Sequence, residues 1–434
     1  MAEPLQVLVV GGGIGGLCLA HGLVRAGIDV QVAERTHART DWVQGYRIHI
    51  DPDGSRGLHA CLPTASWARF CDTVSDEAAT FSFRTEQLAP LLVIEAEQAG
   101  DPVAQHHGIS RIALREVLLD GLDHVVAFGR EFERYETLPS GRVRAHFADG
   151  TTADADLLVG ADGANSRVRG QLLPHARRLD TGVTTIAGKY PLTGEEARGH
   201  DEPGGHNQPG GRETRGDGGL PPELLAGPTT VLPPGPGGMF TAVWRGDRTR
   251  TAAVPAGAPP GLLFDTTTDY VFWAYADATA TFPLLDGLTG AELTAVVADR
   301  ITGWSPGLRR LVAGSAPETV SALRIRSAEP VRAWPTGPVT LLGDAIHNMT
   351  PMAGIGATTA LRDADLLRRN LIAAGPDVTA AVADYERRML DYGFAAVARS
   401  LRNTRFATSG HRVARGVLRA VNLVPPLKRR MLGS

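Results

Sequence analysis

Hydrophobic positions near the start of the chain switch from a short apolar run to a helical spacing and back. Residues 7–10 are all apolar, which is typical of a strand buried on both faces. Residues 14–26 carry apolar side chains at helical spacing, and Gly27 is placed to end that helix. Residues 28–33 repeat the strand pattern. The order predicts a βαβ unit, and therefore a parallel sheet with a right-handed crossover.

Similar patterns recur along the rest of the chain. Two further apolar runs predict buried strands, at residues 157–159 and 339–342. Helical spacing predicts three more helices, at residues 111–122, 358–373 and 378–404. Short β segments are expected between 124 and 160, with Asp149-Gly150 as a hairpin signal. Strands alternating with helices indicate the α/β class.

The segment from 176 to about 330 departs from this pattern. It has scattered aromatic residues and no glycine-rich turn after a strand, so we interpret it as a second domain inserted into the first. Within it, residues 194–219 are polar and rich in glycine and proline. Such a composition buries too little apolar surface to order itself, which favours a mobile surface loop. A substrate lid is the alternative.

Composition narrows the class of protein. The chain has 434 residues, 43% of them hydrophobic and 21% charged, and a formal net charge of -3. These values are those of a globular protein and give no indication of nucleic-acid binding. The three cysteines have no metal-ligand spacing and indicate a reducing compartment. No apolar stretch is long enough to span a bilayer, so we expect a cytoplasmic protein. Because the cysteines lack metal-ligand spacing, we also expect no bound metal.

A glycine-rich turn, the first motif (residues 11–16), follows the first predicted strand. Gly11, Gly13 and Gly16 satisfy G-x-G-x-x-G at the start of a helix. Here glycine permits a tight turn, close approach to a pyrophosphate and close helix–strand packing. Glu34 ends the next strand, where an acidic side chain binds ribose hydroxyls. The pattern predicts a dinucleotide site and leaves both NAD and FAD open.

Two later segments combine a strand end with an acidic residue. The second motif (residues 156–169) contains Asp162-Gly163, and its local pattern by itself favours a strand-turn-helix connection with Asp162 as the helix cap. The third motif (residues 343–367) begins with Gly343-Asp344 and continues into a loop of small residues at a helix start. Backbone amides of such a loop can face a ligand closely, and a carboxylate at Asp344 suits the polyol of a ribityl chain.

Together the three motifs resemble those of one family, the class A flavoprotein monooxygenases with the para-hydroxybenzoate hydroxylase fold. The third motif, GDAIHNMTPMAGIGATTALRDADLL, carries the most specific part of the resemblance, which spans about residues 5–405. It implies an α/β fold with a Rossmann-like FAD-binding domain, a discontinuous substrate domain of β-sheet plus helices, and C-terminal helices. The implied ranges are 1–75, 105–175 and 330–405 for FAD, 76–104 and 176–329 for substrate, and 406–434 for a basic helical tail.

The resemblance also implies site residues. Arg47 lies in the segment expected along the flavin, and Arg47 and Pro351 are the candidates beside the reacting ring; no catalytic base is identified. Asp162 and Gly163 are expected to serve both FAD and NAD(P)H. Thr358 replaces a frequent family asparagine but keeps a hydroxyl and a backbone amide. The complete expected cofactor set is Gly11, Gly13, Gly15, Gly16, Glu34, Arg35, Arg47, Arg111, Asp162, Gly163, Gly343, Asp344, Pro351, Gly354, Gly356, Ala357 and Thr358.

The activity that the resemblance implies is hydroxylation of an aromatic or polycyclic small molecule. FAD would be reduced by NADPH or NADH, with NADPH preferred, and would react with O2 through a flavin C4a-hydroperoxide. A reductase, an epoxidase, a Baeyer–Villiger enzyme and a catalytically silent flavin-binding protein remain alternatives. A halogenase is disfavoured because the WxWxIP signature is absent.

Histidines and the basic end of the chain complete the expectations. We interpret His347 as a structural hydrogen-bonding residue rather than an acid or base, and His106 and His107 as loop residues. No Asp or Glu follows Asp391, so the tail is basic. Its amphipathic pattern favours a helix packed on its own domain over contact with a membrane surface. We expect a monomer or a homodimer.

Overall fold

A computed structural model describes residues 5–37, 47–74, 80–95, 100–193, 219–245, 268–375 and 377–424. The strands are β1 (Gln6–Val10), β2 (Asp29–Glu34), β3 (Arg47–Ile50), β4 (Thr80–Arg84), β5 (Pro90–Glu95), β6 (His107–Ser110), β7 (Val126–Phe128), β8 (Phe132–Thr137), β9 (Val143–Phe147), β10 (Thr152–Ala155), β11 (Leu157–Gly160), β12 (Arg178–Pro191), β13 (Thr229–Val231), β14 (Gly238–Trp244), β15 (Tyr270–Ala278), β16 (Ser321–Ala328) and β17 (Val339–Leu341). The α-helices are α1 (Ile14–Arg25), α2 (Pro52–Cys61), α3 (Thr64–Thr73), α4 (Arg111–Leu119), α5 (Arg167–Leu172), α6 (Pro222–Leu225), α7 (Gly290–Arg300), α8 (Pro306–Ala313), α9 (Asp344–His347), α10 (Gly356–Ala374), α11 (Val378–Ala407) and α12 (Arg412–Leu423).

A five-stranded sheet with the order β17-β11-β1-β2-β7 forms the centre of the first of two units, and its paired strands are all parallel. Its central strands are buried on both faces, as their uninterrupted apolar runs predict. The βαβ unit predicted at the start of the chain is confirmed as β1, α1 and β2. The carboxyl ends of β1, β11 and β17 therefore lie side by side at one edge.

Helices α1 and α10 pack together against this sheet, and two glycines of α1 permit the close approach. A Cβ at Gly16 would lie 2.2 Å from the carbonyl oxygen of Gly11, and one at Gly15 would lie 2.4 Å from Leu342 Cδ2. Both distances are shorter than any tolerated contact, so side chains here would push α1 away from the sheet. The spacing of the first motif is therefore required by packing as well as by a ligand.

A seven-stranded sheet, with the order β16-β12-β15-β14-β13-β4-β5, forms the second unit. Strands β4 and β5 join it from a distant part of the sequence, through the parallel pair β4–β13. Trp273 of β15 is fully buried on one face of this sheet, and its Nε1 donates to Ser315 Oγ at 2.6 Å. The aromatic residues scattered through 176–330 thus supply part of the core of this sheet.

The two units contact each other at two places that matter for the site. Trp244 and Tyr270, from the second sheet, pack into the core of the first unit. Met352, from the third motif, packs against Val183, Ala276 and other apolar residues of the second sheet. The small-residue loop of the third motif therefore lies at the boundary between the two units.

Within the basic tail, residues Arg412–Leu423 form α12, which packs on β5. Leu418 is buried there, Arg415 pairs with Glu86 at 2.8 Å, and Val93 N–H donates to Asn422 Oδ1 at 3.2 Å. This is the packing that the sequence pattern favoured. Within the described part of the chain, no helix is both long and apolar enough to cross a bilayer.

Most predicted element bounds agree with the structure within a few residues. The helix predicted at 111–122 ends earlier, at Leu119, because Gly121 has a φ of 80° and turns the chain into β7. His107 was predicted to be a loop residue, which is wrong. It begins β6 and is 4% exposed, and its ring makes edge contacts with the rings of Trp67 and Phe70. The predicted loop 194–219 lies outside the described residues except for its last position.

Leu418→Ala should release α12 from the second sheet. Leu418 is the buried residue of that helix, and truncating a buried leucine costs about 2–5 kcal/mol. Hydrogen exchange of residues 412–423 should accelerate by more than tenfold, while the main unfolding transition changes little. Val417→Ala is the matched control, because Val417 is 54% exposed. Equal exchange in both variants would contradict this docking.

Candidate active site

The three motifs converge because they follow three neighbouring parallel strands. The first motif follows β1, Asp162 and Gly163 follow β11, and Gly343-Asp344 follow β17. Gly11 has a φ of 113°, and a Cβ there would lie 2.4 Å from the carbonyl oxygen of Ala161. The turns after β1 and β11 therefore touch each other. A crevice at the carboxyl edge of parallel strands is where α/β sheets bind ligands.

The amino-terminal end of α1 presents unpaired backbone donors to this crevice. Gly13 is the N-cap residue and provides no side-chain cap for the N–H groups of the first turn. No heavy atom lies within 4 Å of a Cβ built at Gly13, so this glycine faces open space. The arrangement suits a pyrophosphate, which the helix dipole also favours. At Gly15, in contrast, the lack of a side chain lets α1 pack closely against Leu342.

Glu34 stands at the end of β2 beside this turn. It is buried, and its carboxylate accepts from Gly12 N–H at 2.7 Å and from Thr36 N–H at 2.9 Å. Arg35 follows it and is exposed. Arg115, which the sequence did not single out, is buried and donates from Nε to the Gly12 carbonyl oxygen at 3.3 Å. Its only signal was its position one helical turn after Arg111.

Asp162 has one engaged oxygen and one free oxygen. Its Oδ2 accepts from the backbone N–H groups of Arg167 at 2.7 Å and Val168 at 3.3 Å, so it caps α5. Its Oδ1 is buried and, within the described ranges, has no hydrogen-bond partner. Gly163 has a φ of 78° and no atom near an added Cβ. The capping interpretation is thus confirmed, and an acceptor remains for a ligand.

Two arginines tie the second motif to the third. Arg169 donates to the carbonyl oxygens of Ala345 at 2.7 Å and Ala164 at 3.0 Å. Arg178 donates to the side-chain oxygens of Asn348 at 3.1 Å and Asn165 at 2.7 Å. The two motifs are 176 positions apart at the Arg169–Ala345 contact, so only the fold brings them together.

These arginines also set the electrostatics around Asp344. Burial lowers the pKa of Arg178, repulsion from Arg326 lowers it further, and Asp344 opposes the shift. Burial likewise lowers the pKa of Arg169, with Arg178 adding to the shift and Asp162 and Asp344 opposing it. Asp344 itself is exposed between buried neighbours, so its carboxylate faces outward from the first turn of α9. It is free to accept hydroxyl groups.

Asp363 is a second residue that the sequence did not single out, although it belongs to the third motif. Its buried carboxylate accepts from Gly343 N–H at 2.8 Å, from His347 Nε2 at 2.6 Å and from the Tyr392 hydroxyl. Burial alone would lower the pKa of His347, but the charge and hydrogen bond of Asp363 more than reverse this and raise it. The structural role predicted for His347 is confirmed.

The loop after α9 leaves backbone rather than bulky side chains at the boundary between the units. Pro351 and Gly354 are exposed, and Gly354 has a φ of 66°. Thr350 holds the loop in place, because its hydroxyl bonds to Ser400 at 2.6 Å and to Thr404 at 2.6 Å. Helix α10 then begins at Gly356 without a side-chain cap on its first N–H groups. A second set of backbone donors therefore faces the crevice.

Thr358 and Ala357 stand in the first turn of α10, beside β3. The Thr358 hydroxyl oxygen accepts from Asp51 N–H at 3.1 Å, so it joins the helix to the end of β3. Ala357 is half-buried. Arg47 begins β3, and Arg111 begins α4 directly after β6, the antiparallel partner of β3. The Cβ positions of Gly15 and Gly16 pack inside the protein, and a ligand-binding role for the other predicted residues stays a prediction.

The arrangement defines a class of site. Two uncapped helix ends, a buried acid after β2 and an exposed carboxylate at Asp344 suit a long ligand with a pyrophosphate, a ribose and a second polyol. Such a ligand is a dinucleotide of the FAD type. The residues described include no group of histidine, cysteine and acidic side chains that could hold a metal ion.

Comparisons with known proteins agree with this class. Residues 312–400 match the model of an FAD binding domain, and residues 9–71 match that of an NAD(P)-binding Rossmann-like domain. The crystal structure of a candidate FAD-containing monooxygenase from Photorhabdus luminescens subsp. laumondii is 34% identical. The match covers 93% of this chain and 98% of that one, with a TM-score of 0.78.

Other relatives are more distant. A dual O-methyltransferase/FAD-dependent monooxygenase from Phaeosphaeria nodorum is 30% identical over 83% of this chain. The chain spans only 40% of the length of that relative and 44% of two similar Cercospora proteins. The Klebsiella pneumoniae protein HpxO, solved with FAD and uric acid, is 22% identical and shares the fold with a TM-score of 0.74. The match covers 96% of this chain and 93% of HpxO.

The chain belongs to the family of FAD-dependent monooxygenases with the para-hydroxybenzoate hydroxylase fold. The resemblance carried by the three motifs is therefore confirmed.

Gly13→Ala and Gly16→Ala should separate ligand binding from packing. Gly13→Ala should change the free energy of unfolding by no more than about 1 kcal/mol, because the added methyl meets no protein atom, yet it should weaken FAD binding. Gly16→Ala should destabilise the apoprotein by about 1–3 kcal/mol, because its methyl meets the Gly11 carbonyl. Denaturant unfolding and FAD fluorescence titration measure the two effects. The assignment fails if the variants exchange these phenotypes.

Asp363→Asn should destabilise the protein by about 3 kcal/mol, because three donors lose a buried carboxylate. A raised pKa of His347 contributes stability that is complete below its unfolded value, about 6.5, and is lost as pH rises through the folded value. The gap between wild type and variant should therefore shrink with rising pH in urea unfolding. Tyr392→Phe removes one donor only and should cost about 1 kcal/mol. A gap that widens with pH would refute the coupling.

Proposed function

We propose that this chain is an FAD-dependent monooxygenase that consumes NAD(P)H and O2 and hydroxylates an aromatic or polycyclic small molecule. One observation carries the proposal: the loop from Pro351 to Gly356 lies between the two units, with Met352 against the second sheet. A ring placed on this loop has one edge against backbone donors and one face toward the second unit. That is the geometry in which a cofactor and a substrate can meet.

The residues that hold FAD are proposed from the fit of the crevice. Gly13 and the first turn of α1 would bind the pyrophosphate, and Glu34 with Arg115 and Arg35 would lie by the ADP ribose. Asp344 and the free oxygen of Asp162 would accept hydroxyls of the ribityl chain. Gly356, Ala357 and Thr358 would face the pyrimidine edge of the flavin, since their N–H groups open α10, and Gly354 would lie beside them in the preceding loop.

FAD, when bound, supplies the electron transfer and the activation of O2. The chain contributes position, electrostatics and exclusion of water. The uncapped first turn of α10 places a partial positive charge where a reduced flavin carries negative charge. Met352 packs against the second sheet, and a contact of this kind between the two units would help to keep bulk water from the reacting oxygen.

The arginine cluster supports NAD(P)H as the reductant. Arg178 and Arg326 repel each other beside Asp344, and Arg326 is exposed on β16. Cations held together without matching acids attract phosphate groups. The cluster borders Asp162 and Asn165 of the second motif, where the resemblance places both cofactors. NADPH is the preferred donor because its additional phosphate gains most from several arginines.

An aromatic substrate is supported by the lining of the boundary and by the relatives. Tyr270, Phe272 and Trp244 lie where the second sheet meets the first unit. The Klebsiella protein HpxO, which shares the fold, was solved with uric acid, a planar ring compound. Ring compounds bind between apolar walls with a few polar anchors.

Other features stay predictions. The division into an FAD-binding domain (1–75, 105–175 and 330–405) and a substrate domain (76–104 and 176–329) is supported by the membership of β4 and β5 in the second sheet. A cytoplasmic location is supported by the three cysteines, which are all free thiols. We also propose a monomeric or homodimeric state without membrane contact.

The purified chain should bind FAD and transfer one oxygen atom from O2 to a ring compound while oxidising NADPH. The measurement is a screen of aromatic and polycyclic compounds for stimulated NADPH oxidation, followed by mass spectrometry of products formed under ¹⁸O₂. Asp344→Asn, which weakens an acceptor without changing size, should lower FAD affinity. Product without label, or turnover that is equally fast without oxygen, would replace this proposal with a reductase or isomerase.

A further inference from the structure

A groove lies at the amino end of β17, between the segment that precedes this strand and helix α11. Its volume is about 390 Å³, which falls within the ~300–1,000 Å³ of small-molecule sites. One wall comes from residues 330–336 and the other from residues 383–394 of α11. The crevice of the three motifs opens at the carboxyl end of the same strand, after Leu341. Among the described residues that line the groove, none belongs to the predicted cofactor set, so the groove and the crevice are separate.

The walls of the groove are apolar, and their positions are fixed by packing. Val331, Trp334, Leu390 and Phe394 line the groove and are partly buried at the margin of the first unit's core. Three prolines between residues 330 and 338 restrict the backbone φ of the wall that has no secondary structure. The groove is therefore formed before a ligand arrives, which lowers the entropic cost of binding.

Glu386, a buried residue of α11, is the carboxylate at the inner end of the groove. It is 4% exposed and accepts from Trp334 Nε1 at 3.1 Å, from Thr336 Oγ1 at 2.8 Å and from Thr340 Oγ1 at 2.9 Å. Burial raises the pKa of Glu386, and these three hydrogen bonds oppose the shift, with no contribution from a cation in the described part of the chain. A carboxylate accepts about four hydrogen bonds, so a position remains for a further donor.

The charges at the rim of the groove also favour a cation. Asp391 lines the groove, is exposed, and forms no ion pair within the described ranges. Arg387 lines it too, but its guanidinium already pairs with Asp384. The lining therefore presents two carboxylates and one arginine whose charge is matched. A positively charged ligand gains from this arrangement, whereas an anion meets two like charges.

We propose that this groove is a second small-molecule site, and that its ligand is a protonated amine with an apolar body. The ammonium group donates to Glu386, and the apolar body packs against Leu390 and Phe394. Because the indole N–H of Trp334 also donates to Glu386, the ammonium lies close to an aromatic ring, which attracts cations. The amine offsets the cost of burying a carboxylate among neutral donors. The site lies outside the proposed oxygenation reaction and does not depend on it.

The first test compares two probes with the same phenylethyl body, phenethylamine and 2-phenylethanol. The FAD-loaded protein is titrated with each probe by calorimetry at neutral pH, where the amine is protonated. Wild type should bind phenethylamine at least tenfold more tightly than the alcohol. Glu386→Gln should remove this preference, because it removes the charge at nearly constant size. Equal affinity of wild type for the two probes, or binding of neither, would overturn the proposal.

The second test fills the groove without disturbing the hydrogen bonds of Glu386. Ala383 is exposed and lines the groove, so Ala383→Leu should weaken phenethylamine binding by at least tenfold. Ala395→Leu, at an exposed alanine of the same helix outside the lining, should keep the wild-type affinity. Both variants should unfold at the wild-type denaturant concentration. If Ala383→Leu binds the amine as tightly as wild type does, the groove is not the site.

The third test locates the bound amine directly with a phenethylamine analogue that carries a diazirine on its ring. After irradiation, peptide mapping should find the label within residues 330–336 or 383–394, and excess phenethylamine should prevent it. The flavin absorbance spectrum should stay unchanged, because the groove lies at the opposite end of β17 from the crevice. Label confined to other segments, or an equal spectral shift in wild type and Glu386→Gln, would assign the amine to the crevice instead. None of these tests uses NADPH or O2, so their failure is distinguishable from failure of the oxygen-label experiment.

Discussion

The parallel pairing of β17, β11 and β1 is the constraint on which the rest of this molecule depends. Parallel neighbours end at one edge, so the turns that follow them are forced together although they begin at residues 11, 161 and 342. Close packing keeps them there, because glycines at 15 and 16 let α1 contact both β17 and the first turn. The crevice is a direct consequence of strand order, and its polar groups are those that a sheet edge leaves unpaired.

A small number of buried polar contacts turns this edge into a rigid site. The Asp363 carboxylate accepts hydrogen bonds from a backbone amide, an imidazole and a phenol around the start of α9. Arg169 and Arg178 join the second motif to the third by hydrogen bonds. Each contact joins groups that would be costly to bury alone. In the part of the chain that the structure describes, one oxygen of Asp162 has no hydrogen-bond partner and Asp344 is exposed, so the surroundings are ordered while these acceptors stay available.

The second sheet determines what can approach the loop of small residues. Trp244 and Tyr270 of this sheet pack into the core of the first unit, and Met352 of the loop packs against the sheet. Under the proposed function, the edge of the first sheet would bind the cofactor, and the boundary between the two units would select the substrate. The antiparallel pair of β3 and β6 belongs to the first unit and approaches this boundary, because Arg47 of β3 lies close enough to Tyr270 of the second sheet for the two to interact electrostatically.

The sequence by itself determined the local features: the βαβ start, the three motifs, the long helices α10 and α11, and the structural character of His347. These depend on apolar periodicity and on glycine spacing, which are properties of neighbouring residues. Only the tertiary structure decided that Gly15 serves packing, that Asp363 anchors the third motif, and that Arg115 and Arg178 border the crevice. Each of these depends on contacts between distant segments, and a single arginine or histidine carries no sign in the sequence of which partner the strand order will bring to it.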